Sequence, residues 1–81
     1  MNIDNLRWTQ CEDVGDRYYV FIGHDTGNVI KAVRLCDGDR DYVTRKFEDS
    51  RLAQTFIDLA RKLKKQLDCG EIEFEQAKAD F

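Results

Sequence analysis

The hydrophobic positions of the chain follow two different periods. Short stretches rich in β-branched and aromatic residues occupy the first half, at 17–23 (RYYVFIG), 28–36 (NVIKAVRLC) and 41–47 (DYVTRKF). Such stretches, bounded by turn residues, are typical of β-strands. From residue 50 onward the period changes to that of a helix, with apolar side chains three and four residues apart. These are Leu52, Phe56, Leu59, Leu63 and Leu67.

Turn residues separate the predicted strands. In HDTGN (24–28), the Asp25 side chain can bond the following backbone, while Gly27 and Asn28 tolerate positive φ. The DG pair at 37–38 predicts a type I′ hairpin turn, which needs positive φ at both central residues. Loops of two and of four residues both fit the next strand, so its register stays open.

Two further segments extend this pattern. Residues 6–12 (LRWTQCE) favour a fourth strand, with a short helix at 3–8 as the alternative. At the other end, Asp49 or Ser50 can cap the long helix and Gly70 can terminate it in the left-handed conformation. A short second helix is favoured from about Phe74, with a strand through Ile72 and Phe74 as the alternative.

The order of elements predicts one α+β domain spanning residues 1–81. An antiparallel meander of three to four strands packs one face against the long amphipathic helix, and a short C-terminal helix follows. A chain of 81 residues has room for one such core.

Composition adds expectations about location. The three cysteines, Cys11, Cys36 and Cys69, are odd in number and far apart, as expected of reduced thiols in a cytoplasmic protein. The start MNIDNLRW lacks the features of a signal peptide, and no apolar run is long enough to span a membrane. The formal charge of −3 is uneven: residues 50–67 are basic and residues 68–81 are acidic.

Residues 37–48 (DGDRDYVTRKFE) resemble a calcium-binding loop. Asp37, Asp39, Asp41 and Glu48 stand at positions 1, 3, 5 and 12 of an EF-hand pattern. However, Tyr42 occupies the position that needs glycine, and strands rather than helices flank the segment. A strand over 41–47 would carry Glu48 roughly 20 Å from the turn. We therefore expect no metal site.

No set of residues indicates catalysis or a cofactor. His24 is the sole histidine, lies in a predicted turn and has no assured acidic partner. The cysteines are not clustered as zinc ligands. We expect a protein that is not an enzyme.

Two charged sets are candidate binding surfaces. Arg61, Lys62, Lys64 and Lys65 at the end of the long helix are either a solvated face or a phosphate-binding surface for nucleic acid. Asp37, Asp39 and Asp41, with Tyr42 beside them, are either a solvated hairpin tip or the contact surface for a basic protein partner. The partner-binding hypothesis for the hairpin is preferred. Trp8, Tyr18 or Tyr19, if exposed on the sheet, would also support a homodimer.

Three segments carry a resemblance to a known family. The start MNIDNL, the loop and strand DGDRDYV, and the helix opening SRLAQTFIDLARK resemble small phage anti-CRISPR proteins, which inhibit RNA-guided nucleases. The resemblance implies an inhibitor that binds a nucleic-acid-binding protein. It also implies that Asp37, Asp39 and Asp41 are loop acids facing DNA-reading arginines.

Overall fold

The computed structural model describes residues 5–11 and 17–81, which form an α+β domain. Four antiparallel strands pair in chain order as a meander, as predicted. They are β1 (Arg7–Gln10), β2 (Tyr18–His24), β3 (Ile30–Asp37) and β4 (Asp41–Lys46). A 3₁₀ turn (Ser50–Leu52) leads into α1 (Ala53–Asp68), and α2 (Phe74–Asp80) follows.

One face of the sheet packs against α1. Residues directly opposite each other in an antiparallel pair share a face, so the pairing Val20↔Leu35↔Val43 defines the inner row. Val20 and Leu35 are almost fully buried. They join a cluster with the buried helix residues Ile57, Ala60, Leu63 and Leu67. Alternation along the strands thus gives the sheet one apolar face for the helix.

The long helix starts later than its apolar spacing predicts. Asp49 does act as a cap, but it caps the 3₁₀ turn by accepting a hydrogen bond from the Arg51 N–H. Leu52 lies in that turn and is 45% exposed, so it does not belong to the buried stripe. The helical stripe toward the core begins at Ala53. At the other end Gly70 has a φ of 75°, which confirms its predicted role as a left-handed terminator.

The hairpin between β3 and β4 differs from the prediction. Asp37 and Asp41 are Cα partners, so the loop is three residues, 38–40, instead of two or four. The prediction of a type I′ turn is wrong because, of the two residues DG, only Gly38 has positive φ, at 54°. Asp37 is therefore the last residue of β3 and is not at the tip of the turn.

The open choice for the N-terminal segment is decided for its described part. Residues 7–10 pair with β2 as a strand, with Trp8 opposite Gly23, so a helix through residue 8 is wrong. Residues 3 and 4 of that alternative lie outside the described residues, as does the hairpin turn that DVGD (13–16) predicts after this strand.

The C-terminal helix packs on the same side of the sheet as α1. Phe74, Ala77 and Phe81 are buried in the core cluster. The Arg45 side chain donates two hydrogen bonds to the Phe81 carbonyl oxygen, and Phe81 lies edge-on to Phe56. The outer side of the sheet faces away from both helices.

Candidate binding surfaces

Asp37, the first residue of the predicted acidic tip, is buried and paired. Its exposed fraction is 6%. Arg17 donates from Nε to Oδ1 at 2.6 Å and from a terminal nitrogen to Oδ2 at 3.1 Å, a two-pronged contact. Hydrogen bonding to Asp37 raises the pKa of Arg17. The expectation that Asp37 meets a partner is therefore not supported by its position, since it joins the β3 end to Arg17.

Asp41 is also engaged within the molecule. Lys78 on α2 donates from Nζ to its Oδ2 at 2.7 Å, and the Tyr42 N–H donates to Oδ1 at 2.8 Å. The hydrogen bond from Lys78, followed by that from the Tyr42 backbone, lowers the pKa of Asp41. The same pair raises the pKa of Lys78, which also lies 3.5 Å from Glu75. Asp41 thus anchors α2 to the edge of the sheet.

The three carboxylates consequently have different environments. Asp39, in the loop, is exposed, whereas Asp37 and Asp41 face the helix side in ion pairs. Within residues 5–11 and 17–81, no group of three or more histidine, cysteine or acidic side chains is placed to hold a metal ion.

Tyr42 belongs to a different surface. Pairing places it in line with Cys36 and Tyr19, on the side of the sheet away from the helices. We call this side the open face. Its three rows are Trp8–Gly23–Ala32–Lys46, Gln10–Phe21–Arg34–Thr44 and Tyr19–Cys36–Tyr42.

Arg34 lies at the centre of the open face, between two aromatic rings. Its guanidinium carbon is 4.1 Å from the Trp8 ring centroid and 4.4 Å from the Tyr42 ring centroid. Both distances are well within the range of cation–π attraction. Its Nε donates to Thr44 Oγ1 at 2.9 Å. Three contacts therefore fix the guanidinium, while Tyr42 itself remains 57% exposed.

Gly23 makes room for this arrangement. A Cβ atom at Gly23 would lie 3.0 Å from two carbons of the Trp8 ring, Cζ3 and Cη2, and 3.3 Å from Leu6 Cδ1. The missing side chain lets Trp8 lie close over β2 and reach Arg34 on β3. Glycine inside a strand often marks such a close approach.

Among the strand residues that the structure describes, the charges of the open face are of one sign. The strand residues that form it include two cations, Arg34 and Lys46, and no carboxylate. This is notable in a chain with a net charge of −3.

The side of the sheet that carries the two helices has a mainly acidic surface next to the β3–β4 hairpin. A cleft of about 730 Å³ lies between the β3–β4 hairpin and the ends of the two helices. We call it the acidic cleft, since its lining includes Asp37, Asp41, Asp68, Glu73 and Glu75 against Arg17. Tyr18 and Phe74 also line it, with their rings stacked at 6.3 Å. Tyr18 is therefore not on the open face, contrary to its grouping with Trp8 and Tyr19 for a homodimer.

The four basic residues of α1 line one depression together with Asp58 and Asp68, but they differ in exposure. Arg61, Lys62 and Lys65 are exposed, but Lys64 is 5% exposed. Its Nζ lies 2.5 Å from Asp68 Oδ2. The predicted four-residue phosphate-binding set thus has three exposed members, and the fourth is paired with a carboxylate.

Two other candidate reactive groups, His24 and Cys36, lie within the sheet. His24 is the last residue of β2, paired with Arg7 and Ile30, and is not in the turn as predicted. Asp25 forms the turn as expected, and accepts hydrogen bonds from the Gly27 and Val29 N–H groups. Burial raises the pKa of the Cys36 thiol, against an opposing effect of the Arg34 charge and with a smaller increase from Asp39. A protonated thiol is a poor nucleophile.

Arg34 is the residue that sequence reasoning missed. The signal for it was alternation: Arg34 is polar at an outward position of a central strand, flanked by outward aromatic residues on neighbouring strands. Its partners Trp8 and Tyr42 had been noted, but for different surfaces.

No helix in the described ranges 5–11 and 17–81 combines the length and the apolar character needed to cross a membrane. Comparisons of the chain with protein-family models, curated proteins and solved structures give no match.

Proposed function

We propose that this chain is a small non-enzymatic protein that acts by binding another protein, and that the open face is its contact surface. The observation that carries the proposal is the Trp8–Arg34–Tyr42 stack, placed on a sheet face that neither α1 nor α2 covers. Tryptophan, tyrosine and arginine are the residue types that most often dominate the binding energy of protein interfaces.

The stack also has the rigidity that an anchor needs. Arg34 is fixed by two rings and by Thr44, so less side-chain freedom is lost when a partner binds.

A cytoplasmic location is part of the proposal, and no disulfide joins the three cysteines. Inhibition of the partner is the form of this function that the resemblance to anti-CRISPR proteins suggests.

The acidic cleft supports a second candidate surface. Its excess of acidic residues and its stacked Tyr18–Phe74 pair suit a basic side chain of a nucleic-acid-binding protein. This candidate retains the predicted basic partner, but moves the contact from Asp37 and Asp41 to Glu73 and Glu75. Both glutamates are exposed, Glu75 with a longer contact to Lys78 at 3.5 Å, whereas Asp37 and Asp41 are closely paired.

Affinity capture from the source organism separates the two surfaces. The bait proteins are the wild type, Tyr42→Ala for the open face, and Glu73→Gln/Glu75→Gln for the acidic cleft. Any protein retained by the wild type is then produced in pure form and titrated against each variant. We expect Tyr42→Ala to weaken that binding while the double glutamate variant matches the wild type.

Tyr42 is well suited to this test because its ring is mostly exposed, so its truncation leaves the core intact. Arg40→Gln, in the adjacent exposed loop, is the matched control for handling and solubility. Equal affinity of wild type and Tyr42→Ala for the purified partner would overturn the open-face assignment. Selective loss in the double glutamate variant would favour the acidic cleft.

A further inference from the structure

We infer that the open face recognises an acidic segment of its protein partner, with an aspartate or glutamate carboxylate bound by Arg34 between Trp8 and Tyr42. This inference rests on the proposed function, because it names the chemistry of the partner at the same surface.

The contacts of Arg34 leave part of its guanidinium for an anionic ligand. Its guanidinium carbon lies within 4.4 Å of both ring centroids, and its Nε is bonded to Thr44 Oγ1. The remaining donors of a guanidinium are the N–H groups of its two terminal nitrogens, which bind carboxylates through two parallel hydrogen bonds. A planar group held in this way is prepared for a planar anion.

Lys46 adds a second positive charge near Arg34 on the open face. Arg34 is opposite Thr44, and Lys46 is two residues further along β4, so Arg34 and Lys46 are diagonal neighbours. Such neighbours are roughly 7–8 Å apart in antiparallel sheets. The face therefore offers two cations to an anionic segment, with Tyr19, Phe21 and Tyr42 as apolar surroundings.

Charge decides against a second copy of this chain as the occupant. Two identical open faces would bring Arg34 and Lys46 against the same cations, with no strand carboxylate on either face to pair with them. Nucleic acid would supply anions, but the chain as a whole has a charge of −3 and a pI near 5.0. Long-range repulsion then opposes a polyanion more than a short acidic segment.

Selection from a display library of random linear peptides tests the inference on the intact chain. The selected peptides are synthesised, and their affinities are measured by fluorescence anisotropy. We expect an excess of aspartate and glutamate among them, and a loss of at least about tenfold in affinity when the acids are replaced by their amides.

The protein variants complete the test. Arg34→Gln should weaken binding of the selected peptides at least about tenfold. Arg34→Lys should weaken it less, because lysine keeps the positive charge but cannot form the two parallel hydrogen bonds of a guanidinium. The matched control Arg40→Gln, in the exposed hairpin loop, should bind as the wild type does. Lys46→Gln, at an exposed position, gives an independent reading if Arg34→Gln fails to fold.

Several results would overturn the inference. Selected peptides without an excess of acids would remove the acidic chemistry, while a purified partner that still needs Tyr42 would leave the proposed function intact. Unchanged affinity of the selected peptides for both Arg34→Gln and Lys46→Gln would also remove the acidic chemistry. Binding of a single-stranded thymidine oligonucleotide that depends on Arg34 would assign the face to nucleic acid, and a concentration-dependent dimer lost in Arg34→Gln would assign it to a second copy.

Discussion

Asp41 and Tyr42 are adjacent in the chain, but their side chains serve opposite sides of the sheet. Asp41 accepts a hydrogen bond from Lys78 of α2, and Tyr42 stacks on Arg34 of the open face. Strand alternation makes this separation inevitable once β4 begins at Asp41. The acidic surface predicted around Tyr42 is therefore divided between an internal contact and an exposed one.

The Asp41–Lys78 pair should make stability depend on pH. The folded-state pKa of Asp41 is lowered, so its contribution is present above its unfolded pKa of about 4 and is lost as pH falls through the folded pKa. Urea unfolding should show Asp41→Asn less stable than the wild type at neutral pH, with the difference shrinking in acid. Asp39→Asn, in the exposed loop, is the control and should be as stable as the wild type at neutral pH. A difference for Asp41→Asn that is the same at neutral and acid pH would contradict this role.

Asp37 and Asp39 should respond differently to the same substitution. Asp37→Asn weakens the contact of a buried carboxylate with Arg17. Because Arg17 is half exposed and solvent screens the pair, we expect a loss of about 1–2 kcal/mol in the free energy of unfolding. Asp39→Asn, in the exposed loop, should change it by less than about 0.5 kcal/mol. Equal effects in chemical denaturation would show that Asp37 is not a structural anchor.

Gly23→Val should displace Trp8 from Arg34. The new side chain would begin 3.0 Å from the Trp8 ring, so the ring must move away from the sheet. Trp8 is the sole tryptophan, and its fluorescence should shift to the red as the ring becomes solvated. We expect a destabilisation of about 1–3 kcal/mol, as for other overpacked sites.

Gly27→Ala is the control for the glycine experiment. Its Cβ would come no closer than 3.4 Å to any other atom, so the Trp8 emission should not change. If Gly23→Val also left the emission unchanged, Trp8 would not be seated over Gly23 as described.

The helix stripe should begin after Leu52. Leu63 is 3% exposed and packs between α1 and the sheet, so Leu63→Ala should cost about 2–5 kcal/mol in the free energy of unfolding. Leu52 is 45% exposed, and Leu52→Ala should cost less than about 1 kcal/mol. Similar losses for the two variants in thermal or chemical unfolding would contradict the boundary at Ala53.

Sequence periodicity was sufficient for the architecture. The strands β2 to β4, the long helix, the Gly70 terminator and the helix at Phe74 all follow from local patterns of apolar and turn residues, whereas β1 was left open between strand and helix. The hairpin loop length did not follow. It depends on where Asp37 pairs with Asp41, and that pairing is set jointly by the buried rows of β3 and β4.

The candidate surfaces were harder to predict because they depend on contacts between distant residues. A run of acids suggests an exposed surface, but Arg17 and Lys78 reach Asp37 and Asp41 from 20 and 37 residues away in the chain. Lys64 differs, because its pair with Asp68 is a local one, four residues away on the same helix. The Arg34 stack brings together side chains of β1, β3 and β4. Gly23 makes it possible because it has no Cβ atom to collide with the Trp8 ring.

The most direct test of the open face is the dissociation constant of the purified protein partner for the wild type and three variants, Arg34→Gln, Asp39→Asn and Glu73→Gln/Glu75→Gln. Our account predicts at least about a tenfold weaker complex for Arg34→Gln and no change for the two acidic-side variants. Wild-type affinity in Arg34→Gln, together with a weaker complex in either acidic-side variant, would contradict it.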